Sequence, residues 1–389
     1  MDDIAERYIK LVLALGRHDP DYVDAYYGPA HWREDAEHLT PAQIGTAARA
    51  AAAELPPDSQ RGRQLAGQLR AMAARADIIG GATPSFDEES AAIYGAVDPG
   101  HTEEEFAALV SELDDVLPGT GTAAERYAAL ARNVVVDPDK LEQAVKVAIA
   151  ECRERTVARL DLPDDESFDL ELVTGQPWSG QNTYLGGARS RIQVNVDIPI
   201  HIDRVLDLAG HEGYPGHHVA GVLHEQRLVA ERGWLEFTIY PLFSPMALIL
   251  EGTAMLAVDV AFPGTQRLDY LREVLAPLTA LDPAQVTDYH RARRIAERLD
   301  FATNEVARRH LGGTMDEAEA VRWLTAYALM TPEQATKRLD FMRRYRAYVI
   351  NYNLGREVAR AELDARGGTM DDPARQWEAF ADLILTPGR

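Results

Sequence analysis

The chain has 389 residues, 46% hydrophobic and 26% charged, an ordinary globular balance with ample length for a large core. Its net charge of −22 argues against nucleic acid and anionic membrane surfaces as partners. The lone cysteine, Cys152, excludes an intrachain disulfide framework, and the acidic amphipathic start MDDIAERYIKLVLALG lacks a signal-peptide pattern. The longest apolar runs, such as PMALIL at 245–250, are too short to cross a bilayer, so a cytoplasmic protein is expected.

Helix dominates the pattern. Apolar spacing near 3.6 predicts helices over 4–15, 42–55, 61–76, 103–115, 123–133 and 139–160, punctuated by HDPD, LPPD, VDPG and LPGTG. His18, His31, His38 and His101 are scattered through this part without ligand spacing. Beyond Leu162 the composition changes, and SRIQVNVDI alternates as a half-buried strand does over 190–197. It is the only convincing strand, able either to add to a substrate backbone or to pack in the core. Helical patterning resumes over 202–209, 217–232, 246–262, 268–275 and 284–309. Thr331-Pro332-Glu333-Gln334 and Thr314-Met315-Asp316-Glu317 read as capping boxes. The expected fold is mainly α with a small β element, one helical body over 1–389. An N-terminal helical part covers 1–165 and a second part covers 166–389.

The chemistry concentrates in HEGYPGHH, 211–218. His211-Glu212 opens the zinc-hydrolase pattern H-E-x-x-H, in which two histidines one helical turn apart face one metal, but Pro215 stands where the second belongs. On an unbroken helix His217 would lie about 120° off the face of His211, while His218 would regain the face about 10 Å away. Pro215-Gly216 can make a bulge in the helix that absorbs two extra residues and returns His217 to the place of the usual second ligand. A proline-kinked helix with surface histidines would produce the same string. Forty residues on, Glu251 interrupts the apolar run of LILEGTAMLAVD, and a carboxylate buried there needs a partner or a metal. Asp259, two turns later, could orient a histidine ligand. His224-Glu225 is a second HE pair without a histidine at the right spacing and reads as a helix surface. Cys152 reads as a packed thiol.

HEGYPGHH, the preceding NTYLGGARSRIQVNVDIP, LILEGTAML and the late NYNLG resemble the bacterial domain-of-unknown-function family 885, over roughly residues 170–360. That family is similar in fold to the helical metallocarboxypeptidases of the thermostable type and, more distantly, to angiotensin-converting enzyme. The resemblance implies a central cleft holding one Zn²⁺, with His211, His217 and Glu251 as ligands and Glu212 as general base. Tyr352 would stabilise the oxyanion, and His218 would stand behind the ligands or face substrate. Thr253 occupies a place where a bulky aromatic is expected. In FMRRYRAYVINYNLGR, Tyr348 and Arg356 are further groups for the site. Its arginines 343, 344 and 346 could clamp a peptide's carboxylate or simply pair with surface acids. The resulting expectation is a zinc-dependent hydrolase, carboxypeptidase-like, acting on short peptides with no nucleic-acid or membrane partner. A silent relative that binds a ligand in the cleft, or a hydrolase of a non-peptide amide or ester, would share these residues.

Overall fold

Local rules place most helix starts. Thr40, Ser85, Thr102, Thr122 and Thr331 each accept a hydrogen bond from the third residue of the following helix and receive the reciprocal side chain, closing capping boxes. The Thr314 box does not form. The helix Glu317–Tyr327 starts later, with Asp316 accepting from the Glu319 amide. The computed structural model describes residues 1–386 apart from 35, 37 and 177, and 65% of it is helical.

Five short strands occur among the described residues. β1 (Val23–Tyr26) pairs antiparallel with β5 (Ile239–Pro241). β2 (Ser167–Val173), β3 (Gly180–Gly186) and β4 (Arg189–Asn195) form a mixed sheet of order β2-β4-β3. The expected strand over 190–197 is thus β4, central in that sheet. β2 alternates as well, with Phe168, Leu170 and Leu172 on one face, yet is not among the expected strands; β3 carries glycine or polar residues on both faces, and β1 and β5 are too short to show a period. The expected helix over 284–309 is two, Pro283–Leu299 and Ala302–Leu311, broken at Asp300-Phe301. Glu225 is not a plain surface residue, since it accepts from Tyr184 Oη and from the amides of Gly187 and Ala188 and so anchors the β3–β4 hairpin. His224 is buried, its Nε2 donating to the Ile384 carbonyl.

One apolar cluster runs through the interior from Ile4 to Ile384, and buried ion pairs tie the first helices to later parts. Arg61 grips Glu236 with Nε and Nη2 at 2.6 and 2.9 Å, and Arg75 holds Asp19. The helices Pro245–Ala261 and Ile350–Ala365, which bear the downstream site residues, cross almost backbone to backbone. A Cβ on Gly252 would fall 2.1 Å from the Gly355 carbonyl oxygen, so only glycine permits the approach. Around this crossing lies a broad cleft of about 2010 Å³.

Candidate metal centre

The helix Ile202–Leu208 runs into a wider π turn, Ala209–Gly213, and stops. Tyr214 is extended, the Tyr214–Pro215 peptide is cis, and a new helix begins at His217. The extra residues of HEGYPGHH are therefore accommodated by a break, not by a bulge within one helix. Gly216 closes the break. Its amide donates to the Gly210 carbonyl at 2.9 Å, and a Cβ on it would lie 1.9 Å from the His211 carbonyl oxygen. The turn folds back onto its own start, which sets the second helix beside the first.

That return brings His211, His217 and Glu251 together, one ligand atom from each lying within 4.8 Å of the others. His211 Nε2 is 3.5 Å from Glu251 Oε2, and His217 Nε2 is 3.7 Å from Oε1. Nitrogen and oxygen ligands at about 2.1 Å around a tetrahedral ion stand about 3.4 Å apart, so these spacings fit a small divalent cation. Glu251 Oε2 is buried without any hydrogen-bond partner, as a ligand awaiting a cation would be. Burial pushes the His211 ring well below its usual pKa and His217 to about 4, keeping both neutral and able to ligate. This group could bind a metal ion.

The neighbouring groups are as specific. Glu212 Oε1 lies 4.0 Å from His211 Nε2, and burial lifts its carboxyl to about 8, with Arg204 opposing and Glu251 and Asp24 adding to the rise. Asn182 Nδ2 holds the Glu212 carbonyl at 2.8 Å. Glu251 is raised to about 7 by burial, offset by the Tyr348 hydroxyl, which donates to Oε1 at 2.9 Å. Tyr348 packs edge-on against Tyr352, which lines the cleft. Burial first, then Glu251, push the Tyr352 phenol well above its ordinary pKa.

His218 points the other way. It is wholly buried, with Nδ1 2.8 Å from Ser190 Oγ and Nε2 2.8 Å from Glu166 Oε2. Tyr214 Oη and Arg153 Nε also donate to Glu166, and these bonds outweigh burial to hold its pKa at about 2. Asp259 does not reach either ligand histidine. It sits among arginines, 3.0 Å from Arg356 Nη2, 3.4 Å from Arg360 and 3.6 Å from Arg267. Arg356 is shared between Asp259 and Glu297. Arg343, Arg344 and Arg346 are taken by Glu317, Asp21 and Glu89, which leaves no free carboxylate clamp among these three.

Glu166, Asp24, Gln181 and Arg204 were not read from the sequence as site residues. Glu166 sits in the acidic loop DDES, where nothing periodic marks it. Arg204 carried a usable signal, since it precedes His211 by two helical turns on the same face.

No protein-family model matches the chain, and no curated protein resembles it in sequence. Solved structures of similar fold exist. One is the "putative lipoprotein" from Colwellia psychrerythraea (TM-score 0.54, 16% identity, 89% of this chain and 64% of that one). Another is a "putative lipoprotein of unknown function" from Shewanella oneidensis (TM-score 0.47, 14% identity, 92% and 75%). A third is Trypanosoma cruzi metallocarboxypeptidase 1 (TM-score 0.45, 14% identity, 98% and 89%). This chain spans about two thirds of the length of the Colwellia protein, with which it shares its fold.

The cytoplasmic location expected from the sequence is corrected: the Colwellia structure of similar fold is described as a "putative lipoprotein", which points away from it. The grounds for that expectation were weak discriminators. A single cysteine buried in the core, as Cys152 is, needs no reducing compartment to stay unpaired.

Proposed function

We propose that the chain is a zinc-dependent hydrolase of peptide or peptide-like amide bonds. The observation that carries this reading is the convergence of His211, His217 and Glu251 beside the Glu212 carboxylate. The resemblance of HEGYPGHH, LILEGTAML and YNLG to domain-of-unknown-function family 885 supports the same reading.

His211, His217 and Glu251 would hold the ion, two neutral imidazoles and one carboxylate being a common catalytic zinc set. When bound, the cation supplies Lewis acidity that polarises the carbonyl, acidifies water and favours the ionised form of nearby carboxylates. Glu212 takes the proton of the attacking water and delivers it to the leaving amine nitrogen. The Tyr352 hydroxyl keeps its proton at neutral pH and donates a hydrogen bond to the oxygen that gains charge. Tyr348 fixes Glu251 by its hydroxyl. The walls of the cleft suit short, flexible substrates better than folded proteins.

The test is metal analysis of the purified chain, followed by digestion of a short-peptide library with and without a chelator. About one zinc per chain is expected, with cleavage that the chelator stops and that Glu212→Gln abolishes while zinc stays bound. A chain that takes up no zinc after reconstitution overturns the reading.

A further inference from the structure

Two charges beside the proposed centre have no counter-ion. Arg204 donates from Nη2 to Ser179 Oγ at 2.8 Å, and no carboxylate lies within 4.0 Å of it among the described residues. It lies close enough to His211, Glu212 and Glu251 to act on all three. The Asp24 carboxylate, on β1, receives Gln181 Nε2 at 3.2 Å, and no cation pairs with it among the described residues. Arg344, which also lines the cleft, is engaged by Asp21. Both Arg204 and Asp24 line the cleft. Two other cleft arginines, Arg267 and Arg356, are neutralised by Asp207 and Asp259.

The anchors of these charges are adjacent in the chain. Ser179, Gly180 and Gln181 run into β3, and the Asn195 amide bonding to the Ser179 carbonyl extends the β3–β4 ladder to that residue. Ser179 holds Arg204, Gln181 holds Asp24, and between them a Cβ on Gly180 would come within 3.0 Å of Glu212 Oε1. Alternate strand residues share a face and lie about 7 Å apart. The anchors of the guanidinium and the carboxylate thus stand about the span of two extended residues apart, and both charges lie near enough to Glu212 to act on it.

Resting on the hydrolase reading above, we propose that Arg204 and Asp24 select dipeptide-sized zwitterions, Asp24 receiving the substrate's ammonium group and Arg204 its carboxylate. A ligand held at both ends places its single amide in the middle, beside Glu212. Leaving both ions bare in a cleft is costly without such a ligand, since each is partly desolvated. A guanidinium suits the carboxylate because it can meet it with two parallel hydrogen bonds.

The test is calorimetric binding of L-alanyl-L-alanine, its N-acetyl form and its C-terminal amide to the zinc-loaded Glu212→Gln chain, in which turnover is blocked. The free dipeptide is expected to bind at least tenfold tighter than either blocked form. Asp24→Asn should erase the penalty for N-acetylation alone, and Arg204→Gln the penalty for amidation alone. Arg204→Lys should restore part of the latter. Equal binding of free and blocked forms, or penalties that persist unchanged in both variants, overturns the proposal. Zinc content measured on the same samples separates the two readings, because loss of zinc speaks against the metal centre and loss of discrimination against these two charges. If the variants unfold, the comparison of the three ligands on the parent protein still decides.

Discussion

The Tyr348 hydroxyl donates to Glu251 Oε1 at 2.9 Å, while the other oxygen of the same carboxylate takes no hydrogen bond among the described residues and lies 3.5 Å from His211 Nε2. One oxygen is fixed by a hydrogen bond, and the other faces the His211 ring. Tyr348→Phe removes the fixing bond and little else. Zinc affinity, measured by competition with a chromogenic chelator, should fall about tenfold or more, as is usual when a hydrogen bond behind a ligand is lost. Unchanged affinity would show that the crossing of the two helices alone orients Glu251.

The turn at 214–216 leaves no space for a side chain at Gly216. Gly216→Ala would put a methyl group 1.9 Å from the His211 carbonyl oxygen, so the two helices must separate. A loss of about 3 kcal/mol or more in urea unfolding is expected, together with loss of bound zinc. A stable variant with full zinc content would mean that the turn is softer than its contacts imply.

Adjacent histidines should fail in different ways. His217→Ala should abolish zinc binding with little loss of apo-protein stability, because its ring is partly exposed to the cleft. His218→Ala should unfold the chain more readily, by about 3 kcal/mol, because it leaves the Glu166 carboxylate short of a partner in the interior. The pair is read by zinc analysis and thermal denaturation of the metal-free proteins.

His224 supplies a pH dependence away from the metal. Burial holds its ring at about 4, below the ordinary 6.5 of the unfolded chain. Between those values the unfolded state binds a proton that the folded state refuses, so stability rises with pH in that window and falls on acidification. From pH 7 to pH 5 the loss should be about 2 kcal/mol. In His224→Gln this part of the slope should vanish from urea-derived stabilities measured at the two pH values.

Arg61 and Glu236 are both buried, and each satisfies the other. Arg61→Ala should cost about 3–5 kcal/mol because it strands a buried carboxylate. Adding Glu236→Gln should recover a substantial part. Recovery in the double variant, followed by thermal unfolding, distinguishes a stranded charge from lost packing.

The grouping of His211, His217 and Glu251 was legible because each part of it broke a local rule. His211-Glu212 began a known spacing, Glu251 stood in an apolar helix, and Pro215-Gly216 gave a physical reason for the displaced histidine. The helices were legible for the opposite reason, since cap residues and apolar spacing agreed. What stayed hidden depends on contacts far apart in the chain. Glu166 meets His218 across 52 positions, and Asp24 meets Gln181 across 157. Neither separation leaves a trace in local pattern. Asp259 shows the reverse failure. Its helical spacing from Glu251 suggested the metal, but the arginines that surround it come from three other segments.

The run Ser179-Gly180-Gln181 also limits how this chain can change in length. Side chains alternate between the two faces of a strand, so inserting or deleting one residue inside β3, between Gln181 and the turn to β4, would exchange them. A hydroxyl and an amide now placed against Arg204 and Asp24 would trade places with a glycine, and a side chain would be driven towards Glu212. Changes of two residues would restore the faces, whereas changes of one would not. The strand itself should therefore resist a change of one residue, whereas the loop ahead of it, whose length does not set this register, should absorb one.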